Sequence, residues 1–188
     1  FGNYWGKKPQ NEGIDFINYS NSNTLFGAIK TKEVDVLISN SIDDIQRRAL
    51  NKLVSKGQLK SGEGDPIEIG YITFNSNILP LKNKKIREAL LYTIDREVIS
   101  KQVSFGTREP LRSLVPPQLH KKKFEAWPKY RPKLARTLLK NEGYCEKNIL
   151  TIPLTFRSNI PADKLLALTW KELIKRDLSD CIEIKLNG

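Results

Sequence analysis

Histidines, cysteines and closely spaced acids most often carry catalysis or hold metals, and this chain of 188 residues is poor in them. His120 is its one histidine. It stands in a lysine-rich run with no sequence partner to orient it as a general base, so it reads as a solvent-facing loop residue. Cys145 and Cys181 with one histidine are too few for a Cys/His zinc site. Neither a G-x-S-x-G elbow nor a G-x-x-x-x-G-K-[ST] or G-x-G-x-x-G cradle occurs. Gly62-Glu63-Gly64 puts an acid in the middle of its two glycines, which is wrong for phosphate. Asp43 and Asp44 suit the positive end of a helix better than a metal. Asp95 lies among alternating charges on a predicted helix and reads as a structural ion partner. The expectation is a protein that is not an enzyme, with no cofactor and no metal site.

Positive charge is the most visible bias. The formal net charge is +11, and residues 120–140 supply much of it, with six lysines and two arginines against Glu125 alone. His120, Phe124, Trp127 and Tyr130 interleave with these cations. A basic nucleic-acid-binding module is therefore one reading, since cations can hold phosphates and aromatics can stack bases. The other reading is a solvated loop and helix face whose acidic counterweight lies elsewhere in a longer protein. No nucleic-acid-binding motif accompanies the charge. No apolar run approaches the roughly 18 residues of a membrane span. The start, Phe1-Gly2-Asn3-Tyr4-Trp5, has no signal-peptide pattern. The absence of methionine suggests a chain that begins inside a larger gene product or after processing.

The elements that must position any site follow from periodicity. Residues 13–19 (GIDFINY) predict a strand with Ile14 and Phe16 on one face. Asn21, Ser22 and Asn23 offer capping oxygens to a helix carrying Leu25, Phe26 and Ile29. Residues 34–39 (VDVLIS) predict a second strand, so a βαβ unit is expected. Ser41 and Asp44 resemble a capping box for a helix whose apolar face is Ile45, Ala49 and Leu53, with Leu50 and Val54. Residues 56–66 are glycine-rich and polar, the best linker in the chain. Residues 67–75 (IEIGYITFN) give a strong strand signal.

Asn83 is placed to cap one helix running to about Val103. Its stripe is Ile86, Leu90, Ile94 and Val98, with Arg87, Glu88, Arg96 and Glu97 turned to water. Residues 106–117 read as irregular. Pro132 suits a first helical position, Leu134, Ala135, Leu138 and Leu139 the buried face, and Gly143 the stop. Residues 149–156 predict a strand, although Pro153 cannot donate to a ladder and suggests an edge or a bulge. Pro161 opens a helix to about Arg176 that buries Leu165, Leu166, Leu173 and Trp170. Ile182, Ile184 and Leu186 alternate with Glu183 and Lys185 in a final strand. This second βαβ unit implies parallel strands that are neighbours or near-neighbours. Both cysteines precede its strands and so fall at the same sheet edge. A bridge and two buried thiols both remain open.

Five segments in order resemble the extracytoplasmic solute-binding proteins of peptide, dipeptide and nickel ABC importers, family 5. Asn3-Tyr4-Trp5-Gly6-Lys7-Lys8-Pro9 is similar to that family's N-x-x-Y-W-G-x-x-P run. Lys32-Glu33-Val34-Asp35-Val36 is similar to G-E-[IV]-D-V. Tyr71-Ile72-Thr73-Phe74-Asn75, Ile86-Arg87-Glu88-Ala89-Leu90 and Ile94-Asp95-Arg96-Glu97 resemble the hydrophobic-F-N, V-R-x-A-L and [IM]-D-R-[ED] block. Val115-Pro116-Pro117 and the run from Tyr130 through Pro132, Ala135, Leu138 and Leu139 to Gly143-Tyr144 complete the series. Lys32 stands where the family usually has Gly, and Arg131 where it usually has Asp.

The resemblance implies an α/β chain made of parts of two lobes of a periplasmic-binding-protein-like (type II) fold with mixed sheets. Residues 1–66 would end the first lobe, 67–80 would be the crossing strand and hinge region, and 81–188 would begin the second lobe. It further implies a periplasmic or extracytoplasmic monomer, lipid-anchored or free in the full-length parent. Such a protein takes a peptide or similar small solute to a membrane permease and has no nucleic-acid partner. Peptide, nickel complex and sugar all remain open as cargo. Tyr71, Phe74 and Asn75, beside the crossing strand, are the first candidates to line the cleft. Arg157, Ser158 and Asn159 follow the carboxyl end of a strand, where α/β clefts collect ligands, and Arg157 is suited to a peptide carboxylate.

Overall fold

A computed structural model describes residues 5–38, 42–62, 69–105, 108–116, 119 and 125–188. Its elements run α1 (Ser22–Thr31), α2 (Asp44–Ser55), α3 (Lys84–Leu91), α4 (Arg96–Ser104), α5 (Pro132–Asn141), β1 (Leu150–Thr155), α6 (Pro161–Leu178) and β2 (Ile182–Asn187). Among the described residues no helix is long and apolar enough to cross a membrane, and no cluster of acids, histidines and cysteines gathers to hold a metal. His120 and Phe124 of the basic run, Ser41 of the expected capping box and Pro117 lie outside the described residues.

Local chemistry explains most of the helix ends. Asn21 caps α1, its side chain accepting from the Thr24 N–H at 2.9 Å. Lys32 closes α1 in the left-handed region at φ 62°, a conformation that costs a side-chain-bearing residue more than Gly. The box on α2 is formed by Asp43 and Gln46, not by Ser41 and Asp44. Asp43 Oδ1 accepts from the Gln46 N–H at 2.7 Å, and Gln46 Oε1 accepts from the Asp43 N–H at 3.0 Å. Gln46 also donates to Asn23 Oδ1 at 2.8 Å, tying α2 to the start of α1. This buries Asp44 and Gln46 and turns Ile45, expected on the buried face, 68% to solvent. Pro132 and Pro161 each occupy the first turn of their helices, and Gly143 follows α5 at φ 82°. Arg131 provides no side-chain cap.

The single helix expected over residues 83–103 is two. α3 ends at Leu91, and Asp95 restarts the chain as N-cap of α4, accepting from the Val98 N–H at 3.1 Å. Asp95 is therefore a cap and not an ion partner on a helix face. The break lets Thr93 turn inward. Its hydroxyl donates to Leu90 O at 2.7 Å and accepts from Trp170 Nε1 at 3.0 Å, both residues being buried. Arg87 is half-buried and engaged: its Nη1 donates to the carbonyls of Leu81 at 2.7 Å and Lys82 at 2.9 Å. Arg96 lies over the ring of Trp127 at 5.6 Å.

The main core gathers Leu81, Ile86, Ala89, Leu90, Ala135, Leu139, Leu150, Ile152, Trp170, Ile174, Leu178, Ile182 and Ile184 around both cysteines. α3 packs on α5 and α4 on α6, whose buried line is Ala167, Trp170, Leu173, Ile174 and Leu178. Leu165, expected inside, is 39% exposed because it lies off that line. At the far end of α6, Arg136 donates to Asp180 and, at 2.8 Å, to Asp177 O. Tyr130 donates to Asp177 and accepts from Arg176 at 2.9 Å. Lys140 pairs with Glu146 at 2.8 Å. Two cations of the basic run thus find their acids within this chain.

β1 and β2 pair in parallel, Leu150 opposite Ile182 and Ile152 opposite Ile184. The N–H of Leu150 donates to Cys181 O and that of Phe156 to Asn187 O. Even-numbered donors of β1 therefore point at β2, and the missing N–H of Pro153 faces the outer edge, where it breaks no rung. Cys145 and Cys181 are joined by a disulfide, their Cα atoms 3.7 Å apart.

The first βαβ unit is not seen as a ladder. Residues 13–19 and 34–38 run without sheet pairing, with Ile14 71% and Phe16 84% exposed; Ser39 lies outside the described residues. Residues 69–75 are likewise unpaired, and 67 and 68 are outside the described set. A strand needs a neighbour for its backbone groups, and among the described residues none pairs with these three in a ladder.

Candidate functional site

The chain between residues 17 and 22 leaves an unpaired apolar segment and enters α1, so its amides and hydroxyls stand at the exit of an extended run. Far along the sequence, residues 156–160 leave the carboxyl end of β1 and enter α6. These two turns meet. Ile17, Asn18, Tyr19, Ser20, Asn21, Ser22 and Leu25 face Asn159 and Ile160 across a pocket of about 220 Å³, with Ile38 at its side. The lining mixes apolar side chains with hydroxyls and amides and, among the described residues, has no charged side chain. Such a surface recognises neutral donors and acceptors, or a charge met by oriented dipoles, and does not perform acid–base chemistry.

Tyr19 is engaged away from catalysis. Its hydroxyl donates to Glu33 Oε1 at 3.1 Å, and burial, then that carboxylate, raise it above the ordinary phenol range. A second concavity, about 530 Å³, is bordered among the described residues by 131–134 at the start of α5.

The six residues singled out from sequence divide between several places. Asn159 lines the pocket. Arg157, two residues earlier, is fastened to Asp163 through Nε at 2.6 Å and Nη2 at 3.3 Å. Ser158 is exposed in the same loop. Tyr71 is 63% exposed, while Phe74 and Ile72, on the other side of the same extended run, lean on the main core. Asn75 turns the chain, its Oδ1 accepting from the Asn77 N–H at 3.1 Å.

Sequence reasoning treated Asn21 and Ser22 only as capping oxygens and passed over Asn18. The rule that pointed to residues 157–159, a polar turn after an apolar strand-like run, applies equally to residues 18–22.

Comparison with known proteins gives the family and the fold. A family model for bacterial extracellular solute-binding proteins, family 5, middle region, matches residues 1–187. The chain is 26% identical over 144 residues to the dipeptide-binding protein of Escherichia coli (strain K12), covering 76% of this chain and 26% of that protein. It is 29% identical over 175 residues to the glutathione-binding protein GsiB of Salmonella choleraesuis (strain SC-B67), covering 92% of this chain and 33% of the relative. The chain thus spans about a third or less of the length of these relatives. Among solved structures it is similar to the oligopeptide-binding protein AppA of Bacillus subtilis in complex with a nonapeptide. There the TM-score is 0.69 at 19% identity, over 90% of this chain and 34% of that one. The fold is that of part of a type II periplasmic binding protein.

Proposed function

Because the chain belongs to the family 5 bacterial extracellular solute-binding proteins, which bind and do not catalyse, we propose that it forms the middle of a peptide-binding subunit of an ABC importer. The observation that carries this reading is the pocket in which residues 17–22 meet Asn159 and Ile160. Two segments about 140 residues apart in sequence, the exit of an extended run and the exit of β1, come to one place, as a cleft between two lobes requires. In this reading residues 1–66 close the first lobe, 67–80 cross the hinge and 81–188 open the second.

Tyr71 and Asn75 stand at the crossing, and Arg157, Ser158 and Asn159 form the second-lobe wall. Phe74 supports them from the core side. The work is extracytoplasmic, where a Cys145–Cys181 bridge is compatible with the redox environment. The protein acts as a monomer, lipid-anchored or free, delivering cargo to a membrane permease. Peptide is favoured over a nickel complex or a sugar by the amide- and hydroxyl-rich lining, which matches backbone N–H and C=O groups.

The test uses the intact gene product that carries this sequence. Mass spectrometry of co-purifying ligand and calorimetric titration with a tripeptide pool should both show peptide, with binding largely insensitive to salt. Absence of peptide in both, or affinity for an oligonucleotide that falls steeply with salt, would overturn the reading in favour of the basic-module alternative.

A further inference from the structure

Residues 5–62 and those from 69 onward keep separate interiors. Among the described residues the main core draws nothing from before Ile72, and Ala28, Ile29 and Ile42 are buried apart from it. The helices that pack closely, α3 on α5, α4 on α6 and α5 on α6, all lie beyond residue 80. One contact that joins the two parts is the pocket itself, where residues 17–22 meet Asn159 and Ile160. Another lies outside it. The guanidinium of Arg48, on α2, sits over the ring of Phe105, at the end of α4, 5.0 Å from the ring centre.

Both partners are set for this contact. Arg48 is exposed, and four residues before it on α2 stands Asp44, a spacing suited to a helix ion pair. Asp44 instead lies beside Arg47, its Oδ1 3.8 Å from Nε, and among the described residues no acid is paired with Arg48. Phe105 stands in the left-handed region at φ 52°, a conformation that a bulky side chain keeps only when its surroundings hold it there. Hydrogen bonds hold it. The Phe105 N–H donates to Ser100 O. The fully buried Ser104 donates to the same carbonyl at 2.8 Å and accepts from the Arg108 N–H at 3.1 Å. The backbone is thus fixed where the ring, 48% exposed, stands clear of the core.

We propose that Arg48 and Phe105 are positioning residues for the binding site: a clasp between α2 and α4 that favours the arrangement in which the pocket is assembled. The proposal rests on the two-lobe, peptide-binding reading above and deepens it. Pocket and clasp occur in one and the same arrangement of the two parts, so whatever stabilises the clasp stabilises the pocket. A cargo that bridges both walls binds the assembled form, and its apparent affinity scales with the fraction of molecules in that form. The clasp stands outside the pocket. It therefore adds affinity for every cargo equally and adds no selectivity. One exposed cation–π contact is enough to change the ratio of assembled to opened molecules about two- to fivefold.

The experiment uses the intact gene product as the parent, Arg48→Ala, Phe105→Ala and the double variant. Spin labels on Lys52→Cys of α2 and Lys175→Cys of α6, both exposed positions, report the distance between the two parts with no cargo added. Each single variant should lower the ratio of assembled to opened molecules by about two- to fivefold. The double variant should lower it no further than either single one, because the two side chains make one contact. Arg48→Lys and Phe105→Tyr keep a cation and a ring and should stay near the parent. Thermal melting should not move, since neither side chain belongs to a core. Calorimetry with trialanine and trileucine should then show Kd rising by the ratio in which the assembled fraction falls, equally for both peptides.

An unchanged ratio in both alanine variants would overturn the clasp, whatever the peptides do. So would a double variant that loses the product of the two single factors, or a loss of affinity confined to one peptide. A shifted ratio with neither peptide bound would overturn the peptide reading and leave the clasp standing.

Discussion

Replacing Thr93 by valine exchanges one hydroxyl for a methyl at nearly constant volume, in a place where the consequences can be followed atom by atom. Trp170 is fully buried, and its Nε1–H has Thr93 Oγ1 as partner at 3.0 Å. The substitution leaves that donor sealed from water with nothing to bond, which costs about 1–3 kcal/mol. The other bond of the hydroxyl, to Leu90 O, is cheaper to lose, because that carbonyl keeps the Thr93 N–H at 3.1 Å. The added methyl returns up to about 0.8 kcal/mol of apolar burial. The net expectation is a loss of about 1–2 kcal/mol, or roughly 2–8 °C in Tm for a chain of this length.

Thr93→Ser is the control. It keeps the hydroxyl, deletes a methyl and should retain the indole N–H shift seen by NMR, whereas Thr93→Val should move it. Urea unfolding of the three proteins supplies the free energies. A valine variant as stable as the parent, with an unmoved indole resonance, would refute the argument that this bond locks the α3–α4 break onto α6.

Further expectations follow from other contacts. Removing the Cys145–Cys181 bridge, which spans 36 residues, as Cys145→Ala/Cys181→Ala should cost about 3–4 kcal/mol; an unchanged urea midpoint under non-reducing conditions would contradict it. Asp95→Ala should destabilise by about 0.5–2 kcal/mol through loss of the α4 cap, while Asp95→Asn stays close to the parent in a thermal melt. Tyr130 is pushed up to about 12, by burial first and then by Asp177. A raised pKa means its stabilisation is intact below about pH 10 and is lost as pH rises toward 12, so ultraviolet titration should find a late tyrosine that Asp177→Asn brings earlier. The carboxyl groups of Asp177, bonded by Arg176, and Asp180, bonded by Arg136, are held below the usual range. Their contribution is present above about pH 4 and fades as pH falls below it. Arg136→Met should shrink that acid-side loss in a pH series of unfolding curves.

Much of the architecture was legible because it is written in local chemistry. Pro132, Pro161, Gly143 and Asn83 act through their own backbone or the next turn, and each does in the fold what its type dictates. The alternation of Ile182, Ile184 and Leu186 likewise reports a half-buried strand that needs only β1 beside it. Residues 13–19, 34–38 and 69–75 carry equally good alternation, but a ladder is a property of two segments, and pattern in one cannot supply the other.

The break between α3 and α4 escaped because the apolar stripe from Ile86 to Val98 keeps helical spacing straight through it. The signal against a continuous helix was Asp95 followed by Glu97, an acid-rich start read instead as surface charge. Asn159 was reachable from the rule about strand exits. Ser22 was not, since its place opposite Asn159 exists only once two segments far apart in the sequence are folded together. The basic run misled in the opposite direction, because the acids that answer Arg136 and Lys140 arrive only when α5, α6 and the turn at Glu146 are folded together.

The disulfide also decides what happens when the protein is pulled. Tension entering along α5 reaches Cys145 and leaves at Cys181 through two sulfur atoms, so β1 and α6 lie on a covalent detour that carries no load. β2 begins immediately beyond the detour and can be peeled from β1 while the bridge holds. The 36-residue separation corresponds to roughly 120–130 Å of contour that stays hidden in an oxidised molecule and is released when a reductant opens the bond. Stretched between its ends, the same chain therefore has two maximum lengths, and the difference between them is a direct measure of its oxidation state.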